Sequence, residues 1–311
     1  MSNTITLDSK IYIAGHNGMV GSACWRALEA KGYKNIIGFS SKELDLRDQK
    51  AVFEILEREK PEVIIDAAAK VGGILANSTY PYEFLMDNML IQNNLIKAAH
   101  ELDVPKFIFL GSSCIYPKMA SQPLKEEYLL TGPLEETNQW YAIAKISGVK
   151  LIEALREQYD RDYVSLMPTN LYGPGDNYDL ETSHVLPALI RKFHEAKEKN
   201  KNKVILWGSG TPKREFLHVD DLANAVVFAL ENKLDESLYN VGSGDEITIK
   251  ALADLIKSVI SFHGKIEWDS NKPDGTLRKL LDSSIFQSIS HWKPKIDLAD
   301  GIKSTYKNYY D

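Results

Sequence analysis

Apolar and polar positions follow two alternating patterns along the first half of the chain. Short apolar runs such as VIIDAAA and FIFLG are separated by longer amphipathic stretches. An uninterrupted apolar run is typical of a strand covered on both faces, and strands that alternate with helices imply crossover connections. We therefore predict an α/β fold built on a doubly wound parallel sheet. The predicted strands are 11–14, 36–37, 63–69, 107–110 and 163–167, and the predicted helices are 19–31, 49–59, 83–102, 139–159 and 222–230.

The pattern becomes irregular after Pro168, where LYGPGDNYDLETSH is rich in Gly, Pro, Asn and Asp. This change predicts entry into a smaller second domain. The helical periodicity of the first domain returns just after His218, so the second domain is expected to be discontinuous. We predict a first domain over 1–170, to which 217–245 return, and a smaller C-terminal domain over 171–216 and 246–311.

Composition narrows the possible classes of function. The 311 residues are 44% hydrophobic and carry a net charge of −6, a balance that excludes wholesale disorder and disfavours nonspecific nucleic-acid binding. Two cysteines, Cys24 and Cys114, are too few for a disulfide framework or a four-cysteine metal site. The N-terminus lacks the apolar core of a signal peptide, and no apolar run reaches membrane-spanning length. We therefore expect a soluble cytoplasmic protein with no metal, no membrane and no nucleic-acid partner.

Three glycines with the spacing G-x-x-G-x-x-G follow the first predicted strand, in IYIAGHNGMVGSACWRAL. Gly15 permits a tight turn, Gly18 lets the backbone approach a pyrophosphate, and Gly21 permits close packing of helix against strand. The free amides at the helix start, around Met19 and Val20, would then face the phosphates. The alternative is a tight turn without a ligand, but the position at the first strand-to-helix turn of a doubly wound sheet favours a dinucleotide site of Rossmann type.

The end of the second predicted strand discriminates between dinucleotide cofactors. A carboxylate there binds the ribose hydroxyls of NAD, whereas a basic group accommodates the additional phosphate of NADP. Here the residues are Ser40, Ser41 and Lys42, and the first carboxylate, Glu43, comes only afterwards. Two hydroxyls and an ammonium favour NADP, although the same segment is also compatible with an exposed loop.

Tyr141 and Lys145 form a Y-x-x-x-K pattern inside a predicted helix. This spacing places the phenol and the ammonium on one helix face, where the ammonium is expected to lower the pKa of the phenol and allow it to exchange a proton. Ser112 and Ser113 follow the fourth predicted strand, so a serine hydroxyl is expected at the ligand-binding edge of the sheet. An ordinary helix surface is the alternative, but the glycine turn, the serine and Y-x-x-x-K in this order are more specific than any one of them.

These features are similar to the extended short-chain dehydrogenase/reductase family and, within it, to the GDP-L-fucose synthases. The resemblance runs from Ile11 nearly to the C-terminus. It implies epimerisation at carbons 3 and 5 of GDP-4-keto-6-deoxy-D-mannose, followed by reduction of the 4-keto group by NADPH to give GDP-L-fucose. Both carbons are alpha to the ketone, so one base and one acid on opposite faces are able to invert them. The segments that carry the resemblance are AGHNGMVGSA, AAAKVGGI, NSTYP, LGSSCIYPK, YAIAKISG, PTNLYGP, SHVLPALI, WGSGTPKREFLHVDD and KPDGTLRKLLD.

The resemblance also implies roles for individual residues. Cys114 would be the base and His184 the acid, while Ser112, Tyr141 and Lys145 would form the reductive triad. The expected cofactor contacts are Gly15, Gly18, Met19, Val20, Gly21, Ser40, Ser41, Lys42, Asp45, Leu46, Tyr141, Lys145, Asn170 and His184, and the expected substrate contacts are Lys192, Trp207, Arg214 and Lys279.

The chain departs from the family pattern at Asn17 and Ser41, where many members carry Arg against the additional phosphate of NADP. This departure reduces the expected preference for NADP over NAD, but the expectation of a dinucleotide stands. The resemblance further implies a homodimer formed through the helices at 83–102 and 139–159. Cys24 is interpreted as a small buried hydrophobic residue, the usual role of a lone cysteine.

Two other functions remain open at this point. A sugar-nucleotide 4-epimerase that retains its NAD shares the glycine turn and Y-x-x-x-K, but it needs no separate acid and base such as Cys114 and His184. A noncatalytic cofactor-sensing regulator could lose Tyr141 or Lys145 freely, yet both are present together with Ser112.

Overall fold

The computed structural model of the protein describes residues 5–272 and 274–310. Pro273, within KPDGTLRKLLD, and residues 1–4 and 311, at the ends of the predicted domains, lie outside the described residues. The strands are β1 (Ile11–Ala14), β2 (Ile36–Ile37), β3 (Val63–Asp66), β4 (Lys106–Leu110), β5 (Asp162–Pro168), β6 (Asn170–Tyr172), β7 (Lys203–Trp207), β8 (Lys213–His218), β9 (Leu238–Val241), β10 (Glu246–Thr248), β11 (Lys265–Asp269) and β12 (Arg278–Lys279). The helices are α1 (Met19–Lys31), α2 (Gln49–Glu59), α3 (Ile74–Thr79), α4 (Pro81–Glu101), α5 (Gln139–Tyr159), α6 (Val185–Glu198), α7 (Val219–Glu231), α8 (Ile249–Ile260), α9 (Ser284–Ser290) and α10 (Leu298–Tyr310).

The first five strands of the chain and β9 form a parallel sheet. Within residues 5–272 and 274–310, it contains six strands in the spatial order β2-β1-β3-β4-β5-β9. The chain runs outward from β1 to β2 and then returns to β3 on the other side of β1. In open sheets of this kind, ligands bind outside the carboxyl ends of the strands at the point of reversal. The observed sheet confirms the predicted doubly wound α/β fold.

Most predicted elements of this sheet coincide with observed ones, and the differences have local causes. β3 ends at Asp66 rather than at residue 69. The chain turns directly after Asp66, because the Asp66 carboxylate accepts a hydrogen bond from the Ala68 amide (3.1 Å). α4 begins at Pro81 rather than at residue 83, since proline suits the first helical position, whose N–H has no partner in the helix.

Helices cover both faces of the parallel sheet. α1 and α7 pack on one face, and α4 and α5 pack on the other. α5 approaches the sheet closely at Gly148, where an added Cβ would lie 2.5 Å from the Phe109 ring. This approach brings the two preceding turns of α5, which carry the Y-x-x-x-K pattern, close to the sheet.

Membrane-spanning helices and metal clusters are absent from the part of the chain that the structure describes. No helix there is both long and apolar enough to cross a bilayer, and no three His, Cys, Asp or Glu side chains are grouped to hold a metal ion. Cys24 and Cys114 are free thiols, and both are buried.

The C-terminal half adds a smaller hydrophobic core. β7 pairs with β11, and β8 pairs with β6, β10 and β12. α6, α8 and α10 bury Phe193, Ile256 and Ile302 in this core. α7 and β9, which fall between these elements in sequence, belong to the parallel sheet and its covering layer. The exact bounds of the two domains stay a prediction.

Glu215 joins segments on either side of β8. Its side chain is fully buried, and its carboxylate accepts hydrogen bonds from the amides of Gly244 (2.7 Å) and Leu281 (3.0 Å). Its carbonyl oxygen accepts a hydrogen bond from the side-chain amide of Asn170 (2.8 Å). One residue therefore connects β6, β8, the loop after β9 and the segment after β12.

Replacing Glu215 with alanine should destabilise the protein strongly. The buried Leu281 amide and the exposed Gly244 amide would both lose their acceptor, and we expect the free energy of unfolding in urea to fall by roughly 1–4 kcal/mol. Glu267→Ala is the matched control, because Glu267 forms an exposed ion pair with Lys203 (2.9 Å). Such surface pairs contribute about 0–1 kcal/mol. Equal losses in the two variants would contradict the role assigned to Glu215.

Candidate active site

The glycine turn connects β1 to α1, and it leaves no room for a side chain at Gly15 or Gly21. Gly15 has a φ of +78°, and a Cβ there would lie 2.9 Å from the Ala67 backbone. A Cβ on Gly21 would lie 2.2 Å from the Gly15 carbonyl oxygen. Gly18 caps α1 with no side-chain hydrogen bond, so the first amides of the helix are available to an anion. These amides fit the pyrophosphate of a dinucleotide, and Gly15 and Gly21 allow the turn to pack tightly against neighbouring backbone.

The loop after β2 places a carboxylate among the expected NADP contacts. Ser41, Lys42 and Glu43 are exposed, but the Glu43 side chain folds back onto Ser40. It accepts hydrogen bonds from the Ser40 hydroxyl (2.7 Å) and amide (2.8 Å), which lower the pKa of Glu43. An additional phosphate at this loop would compete for the same two donors. In sequence Glu43 comes only after Lys42, so the sequence analysis gave no weight to the negative charge that the structure places beside Ser40.

The other expected dinucleotide contacts lie on α1 and after β2. Met19 and Val20 are half-buried in the first turn of α1. The Asp45 carboxylate is bound by the Arg47 guanidinium (2.9 and 2.8 Å), which lowers the pKa of Asp45. Leu46 is half-buried and packs against the core on the α4 and α5 side. Asp45 thus has a partner of its own, and the cofactor contacts of all four residues stay predictions.

Lys145 is held at the edge of the parallel sheet, with only 2% of its surface exposed. Its ammonium donates a hydrogen bond to the Leu110 carbonyl oxygen (2.8 Å) and lies 4.6 Å from the centre of the Phe109 ring. The centre of the Tyr141 ring is 5.9 Å from the same nitrogen. Burial lowers the pKa of Lys145, because it removes water from the charged form.

Tyr141 has the opposite pKa shift from the one expected beside an ammonium. Burial raises the pKa of Tyr141, and interactions with Cys114 and Asp66 raise it further. The expected lowering was wrong, because desolvation of the phenolate dominates and the Lys145 ammonium is directed to the Leu110 carbonyl. Tyr141 therefore stays a neutral phenol at neutral pH, a state from which it is able to donate a proton.

Cys114 lies in a 3₁₀ turn, Ser113–Ile115, that follows β4. The Ser112 hydroxyl accepts a hydrogen bond from the Cys114 amide (3.4 Å), so the serine and the thiol share one tight loop. Burial raises the pKa of the Cys114 thiol, and the Lys279 ammonium is the strongest of the groups that oppose this shift. At Cys24, inside α1, burial raises the pKa to about 12.

His184 and Asn170 come from elements that follow β5. His184 is an exposed residue that caps α6, and its side chain makes no capping hydrogen bond within the described part of the chain. Surrounding protein atoms nevertheless desolvate the ring and lower the pKa of His184, and the Lys279 ammonium lowers it further. Since Lys279 interacts with both His184 and Cys114, these three groups share one electrostatic environment. The Asn170 amide is bound within the protein, to the Glu215 carbonyl oxygen (2.8 Å).

Lys279 and Arg214 place two cations side by side. They are register partners on β12 and β8, and a hydrogen bond joins the Arg214 guanidinium to the Lys213 carbonyl oxygen (2.8 Å). Burial lowers the pKa of both side chains, and the charge of Arg214 lowers that of Lys279 further. Two partly buried cations that repel each other favour the binding of a dianion such as a diphosphate.

Trp207 presents a large aromatic surface at the end of β7, where it is 55% exposed. The ammonium nitrogens of Lys192 and Lys272 lie 5.4 Å and 5.3 Å from its ring centre. An exposed indole flanked by cations is suited to stacking on a base while the cations contact phosphate or ribose oxygens. The structure thus brings Lys192 to Trp207, and it adds Lys272, which sequence reasoning missed although it belongs to KPDGTLRKLLD.

Asn138 is a second residue that sequence reasoning missed. It caps α5, and its side-chain oxygen is buried with no hydrogen-bond partner among residues 5–272 and 274–310. With Cys114 and Lys279 it lines a cavity of about 30 Å³. Its position directly before the helix that carries Y-x-x-x-K is the signal that could have found it.

The parallel sheet, the glycine turn and the Tyr141–Lys145 pair define a dinucleotide-binding protein of the Rossmann class. The model of the NAD dependent epimerase/dehydratase family matches residues 11–242. The chain therefore belongs to this family.

Individual relatives narrow the resemblance. GDP-L-fucose synthase 1 of Arabidopsis thaliana is 54% identical over 302 residues, which cover 97% of this chain and 93% of that protein. The GDP-L-fucose synthase of Escherichia coli is 50% identical over 307 residues, which cover 96% of this chain and 95% of that protein. The structure of a GDP-mannoheptose C4 reductase from Campylobacter jejuni with NADP bound superimposes with a TM-score of 0.90 at 36% identity, and the match covers 99% of this chain and 100% of that one. The resemblance to the GDP-L-fucose synthases is thus confirmed.

Glu43→Gln should raise the preference for NADPH over NADH. The change keeps the size of the side chain but removes a negative charge that would repel the additional phosphate at Ser40. We expect kcat/KM for NADPH to rise several-fold relative to kcat/KM for NADH, which steady-state kinetics with both cofactors would measure. Glu29→Gln is the control, since Glu29 is exposed near the end of α1 that is opposite the glycine turn. An unchanged ratio in Glu43→Gln would exclude this carboxylate from cofactor discrimination.

Proposed function

We propose that this protein catalyses the NADPH-dependent 3,5-epimerisation and 4-reduction of GDP-4-keto-6-deoxy-D-mannose to GDP-L-fucose. The observation that carries the proposal is the loop after β4, which places Ser112 and Cys114 in one turn beside Tyr141 and Lys145. A site that only transferred a hydride would use the serine but would not need the thiol. The similarity to proteins named GDP-L-fucose synthase supports the same reaction.

Epimerisation is assigned to Cys114 and His184. The Cys114 thiol must first lose its proton, and the Lys279 ammonium favours the resulting thiolate. The thiolate removes a proton alpha to the ketone and leaves an enolate, whose oxygen the Ser112 and Tyr141 hydroxyls are able to stabilise by hydrogen bonds. His184 must first take up a proton, against the burial and the Lys279 charge that lower its pKa, and it then delivers this proton to the opposite face, which inverts the carbon. Once the Cys114 thiol has released its proton to solvent and His184 has taken one up, the same two groups act on the second alpha carbon.

Reduction is assigned to Ser112, Tyr141 and Lys145. The glycine turn would hold NADPH, which would supply the hydride for the carbonyl carbon. Tyr141, which burial keeps neutral, donates its proton to the carbonyl oxygen. The Ser112 hydroxyl orients that oxygen, and the Lys145 ammonium stabilises the phenolate that remains on Tyr141.

We assign the binding of the GDP group to residues on β7, β8 and β12 and to Lys192 on α6. Lys279 and Arg214, adjacent in register, are suited to the diphosphate. Trp207, with Lys192 beside its ring, is suited to stacking on guanine or ribose. Because Lys279 also interacts with Cys114 and His184, binding of the diphosphate there would place the sugar next to the acid and the base.

We further propose a homodimer formed through α4 and α5, and a cytoplasmic location. These two helices expose the apolar side chains of Met86 and Leu90 (37% each) and Ile143 (39%). Burial of such side chains against a second copy of the same surface would stabilise a symmetric dimer. The free thiols of Cys24 and Cys114 suit a reducing compartment.

The direct test supplies the purified protein with GDP-4-keto-6-deoxy-D-mannose and NADPH. We expect net oxidation of NADPH, followed by its absorbance, and formation of GDP-L-fucose, identified by NMR. Tyr141→Phe is the matched variant, because it keeps the ring but removes the proton donor, and it should lose about 10²–10⁴-fold in the rate of reduction. A 4-epimerase that retains its cofactor would cause no net oxidation, and that outcome would reject the proposal.

Cys114→Ser should damage epimerisation while it leaves the reductive machinery in place. A serine hydroxyl ionises far less readily than a thiol, so exchange of the alpha protons with deuterated solvent should slow by about 10²–10⁴-fold. In the unsubstituted protein this exchange should accelerate above neutral pH, because burial raises the pKa of Cys114.

His184→Asn is the companion variant, and it should behave differently. It keeps the base and loses the acid, so it should retain exchange but fail to invert the carbons. Deuterium incorporation and stereochemistry would be followed together by NMR, with and without NADPH. Exchange at the unsubstituted rate in Cys114→Ser would remove Cys114 as the base.

A further inference from the structure

Lys145 carries a positive charge in the interior of the protein, where an unpaired charge is costly. Its side chain is almost completely buried, and within the described residues its ammonium donates a hydrogen bond to the Leu110 carbonyl oxygen (2.8 Å). An ammonium has three donors, and a buried one without a nearby anion tends to lose its proton. A group in the interior must therefore favour the charged form if Lys145 is to act as an ammonium.

Asp66 is a buried carboxylate on the same side of the parallel sheet. It is the last residue of β3, and it is fully buried. In register it lies beside Phe109 of β4, whose ring centre is 4.6 Å from the Lys145 ammonium. Paired residues on neighbouring strands point to the same face of a sheet. The Asp66 side chain therefore faces α5, as the Phe109 ring does.

One oxygen of Asp66 is without a partner. Oδ1 accepts the hydrogen bond from the Ala68 amide (3.1 Å), whereas Oδ2 is buried and has no hydrogen-bond partner in residues 5–272 and 274–310. Such an oxygen is costly in the interior, and its presence calls for an explanation beyond local structure.

We propose that Asp66 is a positioning residue, the internal counter-charge that keeps Lys145 protonated and holds its ammonium at the end of β4, beside Tyr141. This inference rests on the proposed function and deepens it, because Lys145 acts there as an ammonium. Asp66 acts on Lys145 through space, and no contact with the substrate is assigned to it.

The groups that face Lys145 agree with this role. Burial raises the pKa of Asp66 to about 6, and Lys145 opposes the shift, so the carboxyl is ionised at neutral pH and above. Burial lowers the pKa of Lys145, and the groups that oppose this shift are Asp66 first and then Cys114. Tyr12 on β1 and Tyr141 on α5 also interact with Asp66, but burial raises the pKa of both phenols. Both are therefore neutral, and Asp66 is the carboxylate that supplies the counter-charge.

The test measures the titration of Lys145 directly, in protein without added substrate or cofactor. Lysines labelled with carbon-13 at Cε are titrated by NMR, and the Lys145 signal is assigned by its loss in Lys145→Arg. Asp66→Asn keeps the size of the side chain and removes its charge. In this variant the midpoint of the Lys145 titration should move down by about one pH unit or more, because desolvation is no longer offset.

Ser165→Ala is the matched control. Ser165 is the register partner of Phe109 on β5, it is fully buried, and its hydroxyl has no hydrogen-bond partner among the described residues. It lies in the same row of the sheet as Asp66 but carries no charge, so the Lys145 midpoint should be unchanged. Asp66→Leu is a second variant without the charge, and near-ultraviolet circular dichroism reports whether each variant keeps its packing.

Measurements of enzyme activity distinguish an effect of the Asp66 charge from a purely structural effect of the substitution. In Asp66→Asn the alkaline limb of the pH profile for NADPH oxidation should move to lower pH by the same amount as the NMR midpoint. At a pH below the Lys145 midpoint of the variant, where Lys145 is still charged, the KM for NADPH should change by less than about twofold, since the glycine turn is intact. An identical Lys145 midpoint in well-packed Asp66→Asn and Asp66→Leu would overturn the proposal. A shifted midpoint without turnover of the GDP-sugar would confirm the counter-charge and reject the proposed reaction instead.

Discussion

The parallel alignment of β1, β3 and β4 is the constraint on which the rest of the site depends. The carboxyl ends of parallel strands meet at one edge, so groups that are distant in sequence are brought together there. The glycine turn follows β1, Asp66 ends β3, and the loop with Ser112 and Cys114 follows β4. α5 reaches this edge because Gly148 allows it to approach the Phe109 ring, and it thereby delivers Tyr141 and Lys145. Antiparallel neighbours would place these groups at opposite edges.

Burial at this edge determines the chemistry of the site. Desolvation raises the pKa of Cys114 and Tyr141 and lowers that of Lys145, and in each case it favours the neutral form. A neutral phenol suits a proton donor, whereas the thiolate and the ammonium need support from other charges. Lys279 supplies that support to Cys114, and we infer that Asp66 supplies it to Lys145. The site therefore depends on opposed charges that water does not screen.

β8 contributes side chains to both hydrophobic cores, and two adjacent residues on it have different roles. Arg214 lies beside Lys279 in register, and Glu215, the next residue, connects the loop after β9 with the segment after β12. Because successive residues of a strand point to opposite faces, one faces the cationic site and the other the interior. A change in the packing around Glu215 would therefore shift the cations that face the proposed substrate.

The sequence by itself determined the doubly wound sheet, the glycine turn and the order of serine, tyrosine and lysine, because these follow from local periodicity and spacing. It did not reveal the pairing of β8 with β6, β10 and β12, which joins distant segments. Tertiary structure alone decided that burial raises the pKa of Tyr141 and that Asp66 faces α5. In VIIDAAA, Asp66 is a single polar residue within an apolar run. Its effect on Lys145 arises because the register of β3 with β4 aligns it with Phe109, and burial there removes the water that would screen its charge.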